Sequence, residues 1–335
     1  MKKTIFLASV GVVRLVALAG CNTAEDAAGE AQETLILATQ LDANSPFGVG
    51  FERFKEVIEE ETNGEVTAEI HTDGSLGGNE DLLLQSIASG AVDMTVVSPG
   101  FMTQAIREVD LFSMPYLFTS EEHWERVVDG EVGKETNAMI EEETNLRVLG
   151  YWSAGVRNFY GFHEVNAPED LQNVSIRTQD SPAVQDAWSA LGAIPTSVAW
   201  DEMYQALQNR VVDASENDFT NMYQSSHHEV TPYISLTEHD FATRFFLTSD
   251  VVLERFDAEQ QEAIWKAAEE ATLAAREADR EMAEDSLKRL EEEGAVLNEV
   301  DTAPFMEQTE HVREQAAKDL GALELYEAIQ ALAEE

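Results

Sequence analysis

At 335 residues, with hydrophobic side chains making up 44%, the chain is long enough to bury the cores of two ordinary domains. Its 65 Asp and Glu against 21 Lys and Arg leave a net charge of -44; this excludes a nucleic-acid partner and predicts an acidic coat on a folded protein, since aromatic and β-branched runs recur throughout. The single cysteine, Cys21, excludes an internal disulfide.

Met1-Lys2-Lys3 followed by an apolar segment has the order of a secretory signal, with Arg14 as an interruption. Leu18-Ala19-Gly20-Cys21 matches the bacterial lipobox, so residues 1–21 read as a lipoprotein signal with Cys21 as the lipidated residue; an incidental cysteine in a plain secretory signal is the alternative. No other stretch is long and apolar enough to span a bilayer. An extracytoplasmic protein is expected, anchored by lipid in the periplasm or on the outer face of the cell membrane. Residues 22–33 are small, polar and acidic, and read as a flexible tether.

Three βα units follow. Strands are predicted over Thr34–Leu41, Glu65–Thr72 and Ala91–Val97, with a helix opened by Ser45-Pro46 and closed by Asn63-Gly64, and another carrying Leu82 to Ala88. This order predicts a parallel sheet with helices on both faces, and it puts Gln40, Asn79 and Ser98 at one edge of that sheet. Thr119 to Glu122 caps a further helix, and Gly130–Glu143 is another. Strands are then expected at Leu146–Trp152, Phe159–Phe162, Val174–Arg177 and Val211–Ala214, with helices starting near Ser181 and Asp201. Ile234–Leu236 and Phe245–Leu253 read as two more, separated by a polar break at Glu238–Asp240. Asp257–Glu293, rich in Ala, Glu, Arg and Leu without Pro or Gly, predicts one long helix or two end to end. A strand at Ala295–Val300 and helices from Thr302 and Ala322 finish the chain.

Arg157, Arg177 and Asn217 each fall just after, or at the end of, one of these strand runs. In open α/β sheets ligands sit outside the carboxyl ends of strands, and two guanidinium forks with an amide make a receptor for a small organic anion. Read alone, Arg177 is equally a structural ion pair, and Asn217 a turn or cap residue. Trp200 is either a staple before the Asp201 cap or an aromatic wall of a cleft, and Tyr160 has the same two readings. His227, His228 and His239, near Glu229 and Glu238, match no tight metal-ligand spacing, so no metal and no cofactor is expected.

The order Thr62-Asn63-Gly64, Leu76-Gly77, Gly90-Ala91-Val92-Asp93, Met114-Pro115-Tyr116-Leu117-Phe118, Gly155-Val156-Arg157, Pro168 to Leu171, Ile176-Arg177, Ala190-Leu191-Gly192, Trp200-Asp201-Glu202, Tyr204 to Gln208, Val212-Asp213 and Glu216-Asn217 resembles the solute-binding proteins of tripartite ATP-independent periplasmic (TRAP) transporters, the DctP family. The resemblance implies an α/β, two-domain periplasmic-binding-protein (Venus-flytrap) fold with a long helix spanning both domains. Residues 34–154 plus about 243–282 would form domain I, and 155–242 plus about 283–335 domain II. It implies no enzyme but a monomeric receptor that closes on a small organic acid and delivers it to small and large membrane permease subunits. Arg177 would grip the ligand carboxylate, with Arg157, Asn217 and Trp200 beside it and Gln40, Asn79 and Ser98 closing from domain I.

Gly155-x-Arg157-x-Phe159-Tyr160, His228-Glu229-Val230 and Ser235 to His239 resemble the members that carry sugar acids such as uronates, which adds Tyr160 and His239 to the candidate contacts. Asp218 and Phe219 depart from that pattern, so C4-dicarboxylates and other organic acids stay open. Asn79 and Ser98 stand where sialic-acid members use carboxylates, which argues against that ligand. An extracellular enzyme using paired carboxylates and a sensory binding protein are the rival classes.

An acidic coat should repel an anionic ligand. In about 1 M salt the Debye length is only about 3 Å, whereas an arginine touching a carboxylate is worth about 4 kcal/mol at an effective dielectric near 20. The charge balance therefore predicts a protein suited to a salty medium. Thermal melts from dilute buffer to molar salt should show the melting temperature rising; a flat series would contradict it.

Overall fold

The computed structural model describes residues 32–334, so the signal, Cys21 and all but the end of the tether lie outside the described residues. Among the described residues no helix is long and apolar enough to cross a membrane. The first strand, β1 (Glu33–Ala38), leads to α1 (Pro46–Glu61), whose N-cap Ser45 accepts a hydrogen bond from the Gly48 amide. Phe47, Phe51, Phe54, Val57 and Ile58 recur along α1 and are all buried. Next come β2 (Val66–His71), α2 (Glu80–Ser89) and β3 (Met94–Val97), and β1 pairs parallel with both of the other strands. Helices α3 (Glu121–Val128) and α4 (Glu131–Glu143) complete this half.

The centre differs from the sequence expectation. The runs expected at Leu146–Trp152 and Phe159–Phe162 are one strand, β4 (Leu146–Gly161), and Arg157 lies inside it. After β5 (Ser175–Thr178) and α5 (Pro182–Ala190) comes a strand the alternation did not reveal, β6 (Ile194–Ser197), then α6 (Met203–Gln208). The run at Val211–Ala214 is mostly a turn, with Val211 exposed; the strand is β7 (Ala214–Asn217), followed by α7 (Phe219–Gln224). The polar break at Glu238–Asp240 does not end a strand either: β8 runs from Tyr233 to Ser249, and short α8 (Asp250–Leu253) follows. His239 and Asp240 in that break, and Thr237 just before it, are buried, and Thr237 and His239 bond to partners inside the protein rather than to water.

Asp257 caps a single long helix, α9 (Ala258–Glu292), and β9 (Val296–Glu299), α10 (Ala303–Leu320) and α11 (Leu323–Ala331) end the chain. The nine strands among the described residues belong to one mixed sheet in the order β2-β1-β3-β8-β4-β7-β5-β6, with β9 beside β8. Parallel strands lie at both ends, and the antiparallel β4–β8 pair joins them. β3 pairs with Phe245–Leu247 of β8, while β7 pairs with residues 158–161 of β4, so each long strand serves both halves. Between those stretches the register slips at three places, one of them between Ser153 and Val156, where Gly155 takes φ +71°, and the widest between Arg157 and Phe159.

The long helix ties the two ends together. Ala263, Ala267, Ala268, Ala271 and Ala275 enter the core with Leu35, Phe51 and Trp152, whereas Leu290 enters another with Tyr160, Met203 and Ile234. Small side chains let α9 approach α1 closely: a methyl on Gly50 would stand 2.9 Å from Cβ of Ala275 and 2.5 Å from the Trp152 ring. At the back, α10 puts Phe305 against Trp188 and Val174 and Ala316 and Ala317 into the core of Trp124 and Ile140.

Candidate functional site

The carboxyl ends of β1 and β3 face those of β5 and β7 across a cavity of about 170 Å³, room for one small metabolite rather than a polymer. Gln40, Asn79 and Ser98 line one side; Arg157, Arg177, Trp200 and Asn217 line the other. The structure thus gathers residues spread over most of the chain. Asn79 also caps α2, accepting from the Leu82 amide at 3.0 Å. Tyr160 and His239, expected among the contacts, stand one layer behind the wall, 1% and 2% exposed.

Arg157 and Arg177 play different parts. Arg157 donates from Nη2 to the Glu216 carboxylate at 2.9 Å, from Nε to the same group, and from Nη1 to Oδ1 of Asn217 at 2.8 Å. Burial works against its charge, and Glu216 more than restores it. Burial alone would raise the Glu216 carboxyl, but the charge of Arg157 and the hydrogen bonds from His239 and Arg157 hold it down to about 2. A relay supports this pair. The Phe159 amide donates to Thr237 Oγ1, Thr237 lies 2.9 Å from His239 Nδ1, and His239 Nε2 lies 3.2 Å from Glu216. Because burial lowers the His239 pKa, the ring is neutral, accepting at Nδ1 and donating at Nε2.

Arg177 has no such partner. It is 5% exposed and, among the described residues, donates only from Nε to the Val198 carbonyl at 2.9 Å and forms no ion pair. Its charge is disfavoured chiefly by burial, which lowers its pKa, with Glu216 opposing. The structural ion pair considered from sequence is therefore absent, and the two terminal nitrogens open on the cavity. Its guanidinium lies 5.9 Å from the Trp200 ring centroid. Trp200 in turn packs edge-on against His227, which stacks on Tyr160 and approaches its hydroxyl at 2.9 Å. Asn217 turns its oxygen to Arg157 and to the Asp218 amide, which leaves its NH2 to the cavity.

Sequence reasoning missed four charged residues on the same walls: Glu80 and Arg244, which are buried, and Asp81 and Asp180, which are exposed. Glu80 sits at the start of α2 and accepts from Gln40 Nε2 at 3.0 Å and from the Ser98 amide. Arg244 donates from Nη1 to the Thr243 carbonyl and forms no ion pair among the described residues. A lone arginine inside the apolar run Phe241–Leu247 was the signal for it. A larger concavity of about 690 Å³ lies beside α2 and α8, but its buried Asp93 is already paired with Arg255 and bonded to the Ile36 amide. The smaller cavity holds the unpaired charges and is the candidate site.

Two buried carboxyls flank the register slip behind this site. Asp279 on α9 accepts from Ser153 Oγ at 2.6 Å and from the Gly155 amide at 2.9 Å; burial, then Asp218, pushes it up to about 7. Asp240, opposite Arg157 in the sheet, is pushed up by burial to about 7 although Arg157 opposes the shift. Both stand above the ordinary carboxyl value, so the stability they contribute is complete at low pH and is lost as pH rises toward and through 7. Because the buried His227 and His239 shift the other way, the test is a difference: from pH 5 to 8 the melting temperature of Asp279→Asn or Asp240→Asn should rise relative to the parent, and a difference that stays flat or falls would contradict the assignment.

Compared with known proteins, residues 37–319 match the sequence profile of DctP, bacterial extracellular solute-binding protein, family 7. A TRAP periplasmic solute binding protein from Roseobacter denitrificans, crystallised with β-D-glucuronate, is 27% identical with a TM-score of 0.85, over 89% of this chain and 99% of that one. The sugar acid binding protein DctPAm from Advenella mimigardefordensis, in complex with galactonate, is 26% identical with a TM-score of 0.86, over 90% and 98%. The C4-dicarboxylate-binding periplasmic protein DctP of Rhodobacter capsulatus is 27% identical, over 83% of this chain and 85% of that protein.

Proposed function

The chain belongs to the bacterial extracellular solute-binding proteins of family 7, the DctP receptors of TRAP transporters, and from that premise we propose that it captures a sugar acid such as a uronate and hands it to the membrane permease. The observation that carries the reading is Arg177, a buried guanidinium with no carboxylate of its own and two terminal nitrogens facing a small cavity. A buried charge without a counter-ion is costly, and a carboxylate ligand supplies the counter-ion in the matching planar geometry. Asn217 adds its amide NH2 to the same carboxylate, Arg157 holds Asn217 in place, and Trp200 covers the apolar face of the ring.

Residues 34–154 plus about 243–282 and 155–242 plus about 283–335 are the two moving bodies, and the slipped register between Ser153 and Val156 is their hinge. A ligand touching Arg177 on one body and Gln40, Asn79 and Ser98 on the other favours the shut form, because only there are all its contacts made together. Helices α10 and α11, which pack on both sides at the back, limit the travel. The receptor works as a monomer, tethered through lipid on Cys21; the Leu18-Ala19-Gly20-Cys21 box supports the tether.

With glucuronate or galacturonate at 100 times its dissociation constant, the parent should gain about 2.7 kcal/mol of stability, read as a thermal shift. Arg177→Ala should abolish that shift; a variant responding as strongly as the parent would overturn the role given to Arg177. Cys21→Ser should move the protein from the membrane to the soluble fraction, and unchanged membrane association would remove the lipid anchor.

A further inference from the structure

Besides Arg177, two more buried charges line the cavity without a counter-ion among the described residues; Asp81 and Asp180 also line it but are exposed. Glu80 is 7% exposed and Arg244 8% exposed, and neither forms an ion pair among the described residues although both line the same small space. They are near enough to feel one another: burial is the largest influence on Arg244, and Glu80 is the first charge to oppose it. Hydrogen bonds from Gln40 and the Ser98 amide hold the Glu80 carboxylate in place from both sides, and each oxygen keeps capacity for a further donor. Nε and Nη2 of Arg244 have no protein acceptor, and neither is sealed off as a buried orphan. Oε1 of Gln40, by contrast, is buried without a partner, so this wall has unspent hydrogen-bonding capacity.

A group placed between an unpaired carboxylate and an unpaired guanidinium must donate to one and accept from the other. A hydroxyl does both. A second carboxylate would gain Arg244 and meet Glu80 as a like charge, and an apolar group would leave both charges dry and unsatisfied. We infer that Glu80 and Arg244 form a hydroxyl-reading pair that makes the cavity selective for polyhydroxylated monocarboxylates over dicarboxylates. The inference rests on the reading that Arg177 takes the carboxylate, and it concerns the other end of the same ligand.

The test is calorimetric titration of the parent, Glu80→Gln, Arg244→Gln and Arg177→Ala with D-glucuronate, D-galacturonate and D-galactonate. Cyclohexanecarboxylate supplies a ring carboxylate without hydroxyls, and D-glucarate and succinate supply a second carboxylate. The parent should bind its best sugar acid about 1,000-fold more tightly than cyclohexanecarboxylate, as sites built to bond hydroxyls do. Glu80→Gln should weaken that sugar acid by about 10- to 100-fold and strengthen glucarate or succinate, and Arg244→Gln should weaken the sugar acid by at least about 10-fold. Opposite signs for the two ligand classes separate selectivity from damage to the fold, which would weaken both. Losses of equal size for both classes in Glu80→Gln, or cyclohexanecarboxylate within about tenfold of the best sugar acid, would overturn the pair while Arg177→Ala still reports on the carboxylate site. If the parent bound none of these acids, the carboxylate reading would fall and this inference with it.

Discussion

The buried ion pair between Arg157 and Glu216 determines what the rest of the cavity can do. Glu216 is the carboxylate that Arg177 would otherwise find, and Arg157 occupies it through two of its nitrogens while His239 occupies it from behind. Removing one member of such a pair leaves a buried charge uncompensated, typically at about 3–5 kcal/mol, so the arrangement is held tightly. Its consequence is local: with Glu216 committed, Arg177 keeps its charge and lacks a counter-ion. The site is therefore a division of labour between two arginines, one structural and one open.

Mechanics and recognition meet in the same two strands. β4 carries Arg157 and Tyr160, β8 carries His239, Asp240 and Arg244, and both run through the centre of the sheet. The register slips between them at Ser153 and Val156, next to the Asp279 latch on the long helix. In the proposed closure, movement at that slip would bring Gln40, Asn79, Ser98 and Glu80 on one wall toward Arg177 and Trp200 on the other. The polar residues that interrupt these strands are the same residues that support the site.

The net charge of -44 and an anion-seeking cavity do not conflict, because they act over different ranges. Surface carboxylates in water are screened beyond a Debye length, while a buried guanidinium acts at contact in a poorly screened space. The cavity's buried carboxylate, Glu80, is a different matter, since it lies inside that space, where a second ligand carboxylate would meet it unscreened.

Much of the plan was legible from residues. Ser45-Pro46, the alanine-rich run to Glu293 and the parallel βα units announce their elements through capping and periodicity, and the ordered motifs from Thr62 to Asn217 carry the family. Arg157, Arg177, Asn217, Trp200, Gln40, Asn79 and Ser98 were nameable in advance because strand ends and motif positions mark them. What the chain order could not show was that Leu146–Gly161 and Tyr233–Ser249 are continuous, since Thr237, His239 and Asp240 look like a loop until their burial and the partners of Thr237 and His239 are seen. Nor could it show which arginine was free, because the pairing of Arg157 with Glu216 joins residues 59 apart and is settled by the antiparallel register of β4 and β7. Sequence determined the element types and the chemistry available; tertiary structure decided which charges cancel one another and which stay open, because pairing depends on distance across the sheet and not on position along the chain.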